Sequence, residues 1–279
     1  MINNMNTPEG PLGGKVAIVT GGSGFLGQQH CLALLEHGAE VFNFDIRNLN
    51  ITECTEFIPF NERFHNVICD LSDETSVENS VAKVLEVTKR IDILVNNASI
   101  DHKVNSNLSA NKLDYRFEYI DLSSWAIESA VGLNGAIFCS KYVARNMIGN
   151  KSGVIINISS DLGVIAPDQR IYLKKDAELG EVRYFKPFSY SVIKHGLIGL
   201  TKYLSTYLAE YGIRVNTLSP GSILNNQDKE FIANLESNIP MGRMARVDEY
   251  KGAIQFLAGD SSSYMTGQNL IVDGGRSIW

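Results

Sequence analysis

Lys15–Gly27 reads KVAIVTGGSGFLG. Lys15–Thr20 is an apolar, β-branched run without polar alternation, the pattern of a strand covered on both faces. Glycines follow at Gly21, Gly22, Gly24 and Gly27, and an apolar-rich stretch then runs to about Gly38. Strand, glycine turn and helix in that order predict the first βα unit of an α/β sheet. Glycine in such a turn lets the backbone bend sharply and approach a pyrophosphate. The helix N-terminus adds N–H donors and a positive dipole end. The turn is therefore read as a dinucleotide cradle formed by Gly21, Ser23, Gly24, Phe25, Leu26 and Gly27. The competing reading is an ordinary structural turn; the strand before it and the helix after it weigh against that.

The same alternation continues along the chain. Further strands are expected at Glu40–Asp45, Asn66–Asp70, Ile91–Asn96, Gly153–Ser159, Ile213–Ser219 and Asn269–Asp273. Helices are expected near Ser72–Lys89, capped by Ser72 or Asp73, and over Ser123–Asn150 and Ser189–Tyr211. Seven such strands predict a doubly wound parallel sheet with helices on both faces, a Rossmann fold in one domain over residues 1–279. There is no internal repeat, low-complexity tract or linker. Met1–Gly14 is polar and reads as a flexible N-terminus. Ile100–Asp121 and Asp161–Phe188 read as excursions from the core.

The chain has 279 residues, of which 44% are hydrophobic, enough to cover both faces of a sheet. Lys and Arg number 25 against 31 Asp and Glu, a net charge of −6, which argues against nucleic-acid binding. None of Cys31, Cys54, Cys69 and Cys139 forms a CxxC pair, and His30, His37, His65, His102 and His195 do not cluster in sequence. No metal requirement is predicted. No stretch resembles a signal core or reaches the length of a membrane span. The expectation is a reduced, soluble, cytoplasmic protein with a small-molecule substrate and neither nucleic acid nor membrane as partner.

Asp45 ends the second strand about 20 residues past the glycines, where a carboxylate can accept from the adenosine ribose and repel a 2′-phosphate. That favours NAD; Arg47, two residues on, leaves NADP open. The alternative for Asp45 is a turn-starting acid. Asp70, with Leu71 beside it, ends the third strand near the expected adenine edge, or simply starts a helix.

Several short motifs then occur in order: TGGSGFLG at Thr20–Gly27, NNAS at Asn96–Ser99, GLNGAIF around Asn134, NISS at Asn157–Ser160, YSVIK at Tyr190–Lys194, SPG at Ser219–Gly221 and VDGG at Val272–Gly275. With the Asp70 position they make the chain resemble the short-chain dehydrogenase/reductase family from Lys15 to Gly275. The resemblance implies a catalytic tetrad of Asn134, Ser160, Tyr190 and Lys194. It also implies NAD(P) contacts from Asn97, Ala98, Ser99, Pro220, Gly221 and Ile223, together with Tyr190 and Lys194. It implies a homodimer or homotetramer through the helices near 123–150 and 189–211 and the C-terminal strand region.

The chemistry is sound in its own right. Tyr190 and Lys194 are spaced i,i+4 and share a helix face. An ordinary tyrosine titrates near pKa ~10, and a nearby ammonium stabilises its phenolate. Tyr190 then takes the proton of an alcohol, or returns it in reduction, while the nicotinamide carries the hydride. Ser160 is expected to bond the substrate oxygen, with Ser159 as its competitor. The resemblance assigns Asn134 a helix kink and a water in the proton relay. A Tyr-xxx-Lys pair taken alone is more often a core tyrosine beside a snorkelling lysine.

Three features depart from the family pattern. The turn spells TGxxGxxG, as in the extended group acting on nucleotide sugars. NNAS replaces NNAG. Ser160 and Tyr190 stand 30 residues apart (190 − 160), a longer gap than the family's compact branch carries. The inserted stretch holds Asp168, Gln169, Arg170, Tyr172, Lys174, Lys175, Arg183 and Lys186. With 222–246 it is expected to wall the substrate. Its basic residues point to an anionic or polyhydroxylated substrate, such as a sugar phosphate or nucleotide sugar, or else to a solvated charged loop. Ser160–Tyr172 is similar to dehydrogenases of flagellin-modification and sialic-acid-like sugar pathways. The rival readings are a nucleotide-sugar epimerase or dehydratase with bound NAD, and a non-catalytic dinucleotide-binding protein.

Overall fold

The computed structural model describes residues 10–100, 117–120, 122–172 and 185–279. Lys174, Lys175, Arg183, residues 1–9 of the expected flexible terminus and 101–116 of the first excursion lie outside the described residues. Residues 10–14 are held rather than loose. Leu12 is buried, and its N–H donates to the His37 carbonyl at 2.8 Å.

Seven strands form one sheet: β1 Val16–Thr20, β2 Glu40–Asp45, β3 Phe64–Ile68, β4 Ile93–Asn96, β5 Gly153–Ile158, β6 Ile213–Pro220 and β7 Asn269–Val272. Their order is β3-β2-β1-β4-β5-β6-β7, and every pairing is parallel. The helices are α1 Phe25–Glu36, α2 Glu74–Thr88, α3 Leu122–Ser129, α4 Gly135–Asn150, α5 Phe188–Leu208, α6 Lys229–Glu236 and α7 Lys251–Ala258.

The continuous apolar runs are explained by burial on both faces. On β1, Ala17 and Val19 pack with α1 and α7 residues such as Leu34 and Ile254. The alternate residues Val16 and Ile18 pack with Val77 and Val81 of α2 and Cys139, Val143 and Met147 of α4. Strand order reverses between β1 and β4, so the loops leaving their carboxyl ends diverge and open a crevice.

Three expectations are corrected. The third strand begins at Phe64 and ends at Ile68, because Asp70 turns back to accept from Ser72 N and Oγ at 2.9 and 2.6 Å. The helix expected over Ser123–Asn150 is split into α3 and α4 by a π turn at Ala130–Asn134. Helices α6 and α7 were not foreseen. Asp228 caps α6 by accepting from Glu230 N at 2.9 Å. Of the two cap candidates for α2, Asp73 serves, accepting from Thr75 N at 2.9 Å.

Candidate active site

The carboxyl ends of the strands enclose a cleft of about 720 Å3, within the roughly 300–1,000 Å3 typical of small-molecule sites. Gly21, Gly24, Phe25, Leu26 and Gly27 form one wall. Gly21 has φ +66°, and a Cβ there would lie 2.9 Å from Ala98 Cα. A Cβ at Gly27 would lie 2.1 Å from the Gly21 carbonyl oxygen. Both positions are therefore closed to any larger residue, and the backbone itself faces the cleft.

Two polar anchors set this wall. Thr20 Oγ1 accepts from Asn97 N at 3.0 Å and Ala98 N at 3.1 Å. The Asn97 amide donates back to the carbonyls of Thr20 and Gly21 at 2.9 and 3.2 Å. The ends of β1 and β4 are thus fastened at the switch point, and Asn97, Ala98 and Ser99 line the cleft.

Ser23 departs from its expected role. It is buried and absent from the cleft lining. Its N–H donates to Asp45 Oδ2 at 3.1 Å, and its hydroxyl donates to the Arg47 carbonyl at 2.9 Å and accepts from Asn43 Nδ2 at 2.9 Å. It braces the glycine turn against β2 from behind. Asp45, Arg47, Asp70 and Leu71 do line the cleft. Asp45 Oδ1 accepts from Arg47 N at 3.2 Å, so it both starts a turn and faces the cavity. Asp70 likewise combines both of its proposed roles.

Ser160, Tyr190 and Lys194 line the same cleft. Lys194 is 4% exposed, and its Nζ donates to the Ile158 carbonyl at 3.0 Å. The two serines are distinguished by their bonds. Ser159 Oγ donates to the Lys194 carbonyl at 2.8 Å and ties β5 to α5. Ser160 Oγ donates to Asp161 Oδ1 at 2.8 Å and accepts from Leu162 N at 3.2 Å. His195 turns outward, its Nδ1 2.9 Å from the Ser191 carbonyl.

Asn134 is not brought to this group. It is exposed and absent from the cleft lining. On this turn Val131 lines the cleft, and Gly132 is buried, where a Cβ would sit 3.0 Å from Ile193 and 3.8 Å from Ser99 Oγ. The π turn ends at Asn134, whose side chain is exposed.

Pro220, Gly221 and Ile223 also line the cleft. A Cβ at Gly221 would lie 2.7 Å from Asp273 Cα, which holds the end of β6 against the C-terminal segment. Of the basic residues described in the insertion, Lys186 lines the cleft and Arg170 does not. Arg170 is 84% exposed and paired with Asp168 at 2.8 Å, a solvated charged loop at that point. Ile171 is buried against Leu235, Ile239 and Met244, and the Tyr172 ring packs on Phe231 at 5.3 Å. The insertion's first half is thereby seated on α6.

Three groups escaped sequence reasoning. Asp161 and Arg276 form an ion pair of 2.7 Å with side chains 3% and 5% exposed, and both border the cleft. A buried polar ladder runs beneath the site. Asn96 Nδ2 donates to Asn157 Oδ1 at 2.8 Å, Asn157 Nδ2 to Thr201 Oγ1 at 2.8 Å, and Thr217 Oγ1 to Thr201 Oγ1 at 2.7 Å. It joins β4, β5 and β6 to α5. Third, His30 is fully buried beside Asn97. Burial pushes its imidazole down to about 3, the Lys194 charge adds to the shift and Asn97 opposes it. Burial pushes the Cys31 and Cys139 thiols up, and no cysteine is paired.

These features are those of a known family. The short-chain dehydrogenase model matches residues 15–172, and a model described as enoyl-(acyl carrier protein) reductase matches residues 177–277. The chain belongs to the short-chain dehydrogenase/reductase family of oxidoreductases. It is 30% identical over 275 residues to the (2S)-[(R)-hydroxy(phenyl)methyl]succinyl-CoA dehydrogenase subunit BbsD of Thauera aromatica, covering 95% of this chain and 97% of that one. A short-chain dehydrogenase of Leptospira borgpetersenii with bound NAD+ superposes with a TM-score of 0.81 at 30% identity, covering 100% of this chain and 97% of the other. A gluconate 5-dehydrogenase of Burkholderia cenocepacia in complex with NADP and tartrate gives 0.78 at 28% identity, covering 95% of each chain. Among the described residues no helix is long and apolar enough to cross a membrane, and no group of acidic, His and Cys side chains could hold a metal ion.

Proposed function

We propose that the chain interconverts a secondary alcohol and a ketone with a nicotinamide dinucleotide, using Tyr190 as general acid and base. The observation that carries this is one cleft lined both by the glycine turn and by Ser160, Tyr190 and Lys194. A side chain at Gly21 or Gly27 would strike Ala98 or the Gly21 carbonyl, so bare backbone borders the cleft there. The cofactor supplies or accepts the hydride when bound. Gly21–Gly27 would hold its pyrophosphate at the α1 N-terminus, and Asp45 its adenosine ribose, favouring NAD over NADP.

The protein's part is to move and steady a proton. Tyr190 Oη removes the alcohol proton, or delivers it to the ketone oxygen in reverse. Buried Lys194 sets a positive charge beside that phenol and favours the phenolate. Ser160 gives its hydroxyl proton to Asp161, so Oγ would accept from a substrate alcohol and would have to release that bond to donate to a ketone oxygen. The polar edge Asn225–Asp228 supports a hydroxylated substrate of the sugar phosphate or nucleotide sugar class.

Exposed Ile127 on α3, Ile137 on α4 and Tyr203 and Tyr207 on α5 support a homodimer or homotetramer through those helices. Unpaired cysteines suit a reducing compartment such as the cytoplasm. The test is turnover of a panel of hydroxylated substrates with NAD+ and NADP+, comparing wild type with Tyr190→Phe. Net cofactor reduction lost in the variant supports the reading. Equal rates, or conversion of substrate without net cofactor reduction, would overturn it.

A further inference from the structure

Tyr190 is flanked by two ammonium groups. Lys194 Nζ lies 5.6 Å from the centre of its ring, and Lys186 Nζ lies nearer, at 3.8 Å over the ring face. Lys186 stands four residues before Tyr190 and two before the first residue of α5, at the point where the inserted stretch returns to that helix. Its backbone is clasped from the other side of the insertion: Lys186 N donates to Gln169 Oε1 at 2.9 Å, and Gln169 Nε2 donates to the Lys186 carbonyl at 3.4 Å. The insertion therefore does more than wall the substrate, because it delivers a cation to the reacting phenol.

We infer that Lys186 is a second electrostatic activator of Tyr190, set in place by the insertion. This rests on the proposed role of Tyr190 as acid and base. A cation over an aromatic face is attracted by the neutral ring, and attracted more strongly once the ring carries phenolate charge. It therefore stabilises the ionised form in preference to the protonated one. Lys194 is buried and already donates to the Ile158 carbonyl. Lys186 is half-buried on the cleft wall, and its charge adds to that of Lys194.

Other titratable groups bordering this end of the cleft are Asp161, Arg276, Tyr172 and Asp228. Asp161 and Arg276 neutralise one another at 2.7 Å. Asp228 caps α6 through the amides of Glu230 and Phe231. Among the described residues, the two lysines are thus the cations placed directly against the tyrosine ring.

The test is a direct titration of the phenol, which needs no turnover. Ultraviolet phenolate absorbance is followed against pH in wild type, Lys186→Met and Lys186→Arg. The same trace for each in a Tyr190→Phe background is subtracted. Removing an opposite charge at this range raises the Tyr190 midpoint by about one unit or more in Lys186→Met. Lys186→Arg, which keeps the charge, stays near wild type. Gln169→Ala, which frees the clasp, falls between the two. Equal midpoints in wild type and Lys186→Met overturn the inference. So does a shift in Lys186→Arg as large as that in Lys186→Met, since charge is then not the cause. Neither outcome touches the role of Tyr190 itself, which fails only if Tyr190→Phe keeps full turnover.

Discussion

Arg276 Nη1 sits 2.7 Å from Asp161 Oδ2, and the other carboxylate oxygen of Asp161 holds the hydroxyl of Ser160 at 2.8 Å. The C-terminal segment is thereby linked to the expected reaction centre through a buried charge pair. Removing one partner of such a pair leaves the other charged and dehydrated, at a cost of about 3–5 kcal/mol. Arg276→Met should lower stability by about that amount in urea denaturation. A midpoint unchanged from wild type would show that the pair is not formed in solution.

Asn134 and Ser160 should behave oppositely. Asn134 is exposed and outside the cleft, whereas Ser160 lines it. Asn134→Ala should leave kcat/KM within about twofold, while Ser160→Ala should lose roughly 10²-fold or more. Steady-state kinetics with any accepted substrate decide this. A loss in Asn134→Ala comparable to that in Ser160→Ala would restore it to the catalytic group.

Asp45 should select the cofactor. Its carboxylate lines the cleft, steadied by the amides of Ser23 and Arg47. Asp45→Ala removes both a charged acceptor and the repulsion of a 2′-phosphate. Its kcat/KM with NAD+ should fall on the order of tenfold, the worth of a charged hydrogen bond, while that with NADP+ should hold or rise. An unchanged ratio between the two cofactors would locate the choice elsewhere.

His30 should make stability fall in mild acid. Its imidazole is held down to about 3 by burial, whereas an exposed histidine titrates near 6.5. The unfolded chain therefore binds the proton first. Stability from this group is complete above about 6.5, declines as pH falls below it, and levels off below about 3. Wild type should lose more stability between neutral pH and pH ~5 than His30→Leu does. Parallel losses in urea denaturation at the two pH values would refute it.

Much of this was legible along the chain. The runs that became β1, β4 and β5 are almost wholly apolar because both faces of the sheet are covered there. The glycine turn was legible because Gly21 and Gly27 leave no space for a side chain, a constraint that shows as residue identity. Tyr190 and Lys194 were legible because their contact is local, one turn of one helix. Helix α6 was harder: it is only eight residues long, and its apolar side packs on Ile171 and Tyr172 of the insertion and on Ile239 and Met244.

Sequence by itself determined the strand–helix alternation, the dinucleotide cradle and the spacing of the phenol and ammonium, since each depends on neighbours within a few residues. Only the tertiary structure decided which way Asn134 faces, which serine braces α5 and which meets the cleft, and that Ser23 stands behind the turn. It alone paired Asp161 with Arg276, 115 positions along the chain, and set Lys186 over Tyr190. The reason is physical: periodicity gives a side chain's direction to within a helical turn, and one π turn or one insertion rotates or displaces it by more than that. Long-range partners are chosen by packing, which no local pattern records.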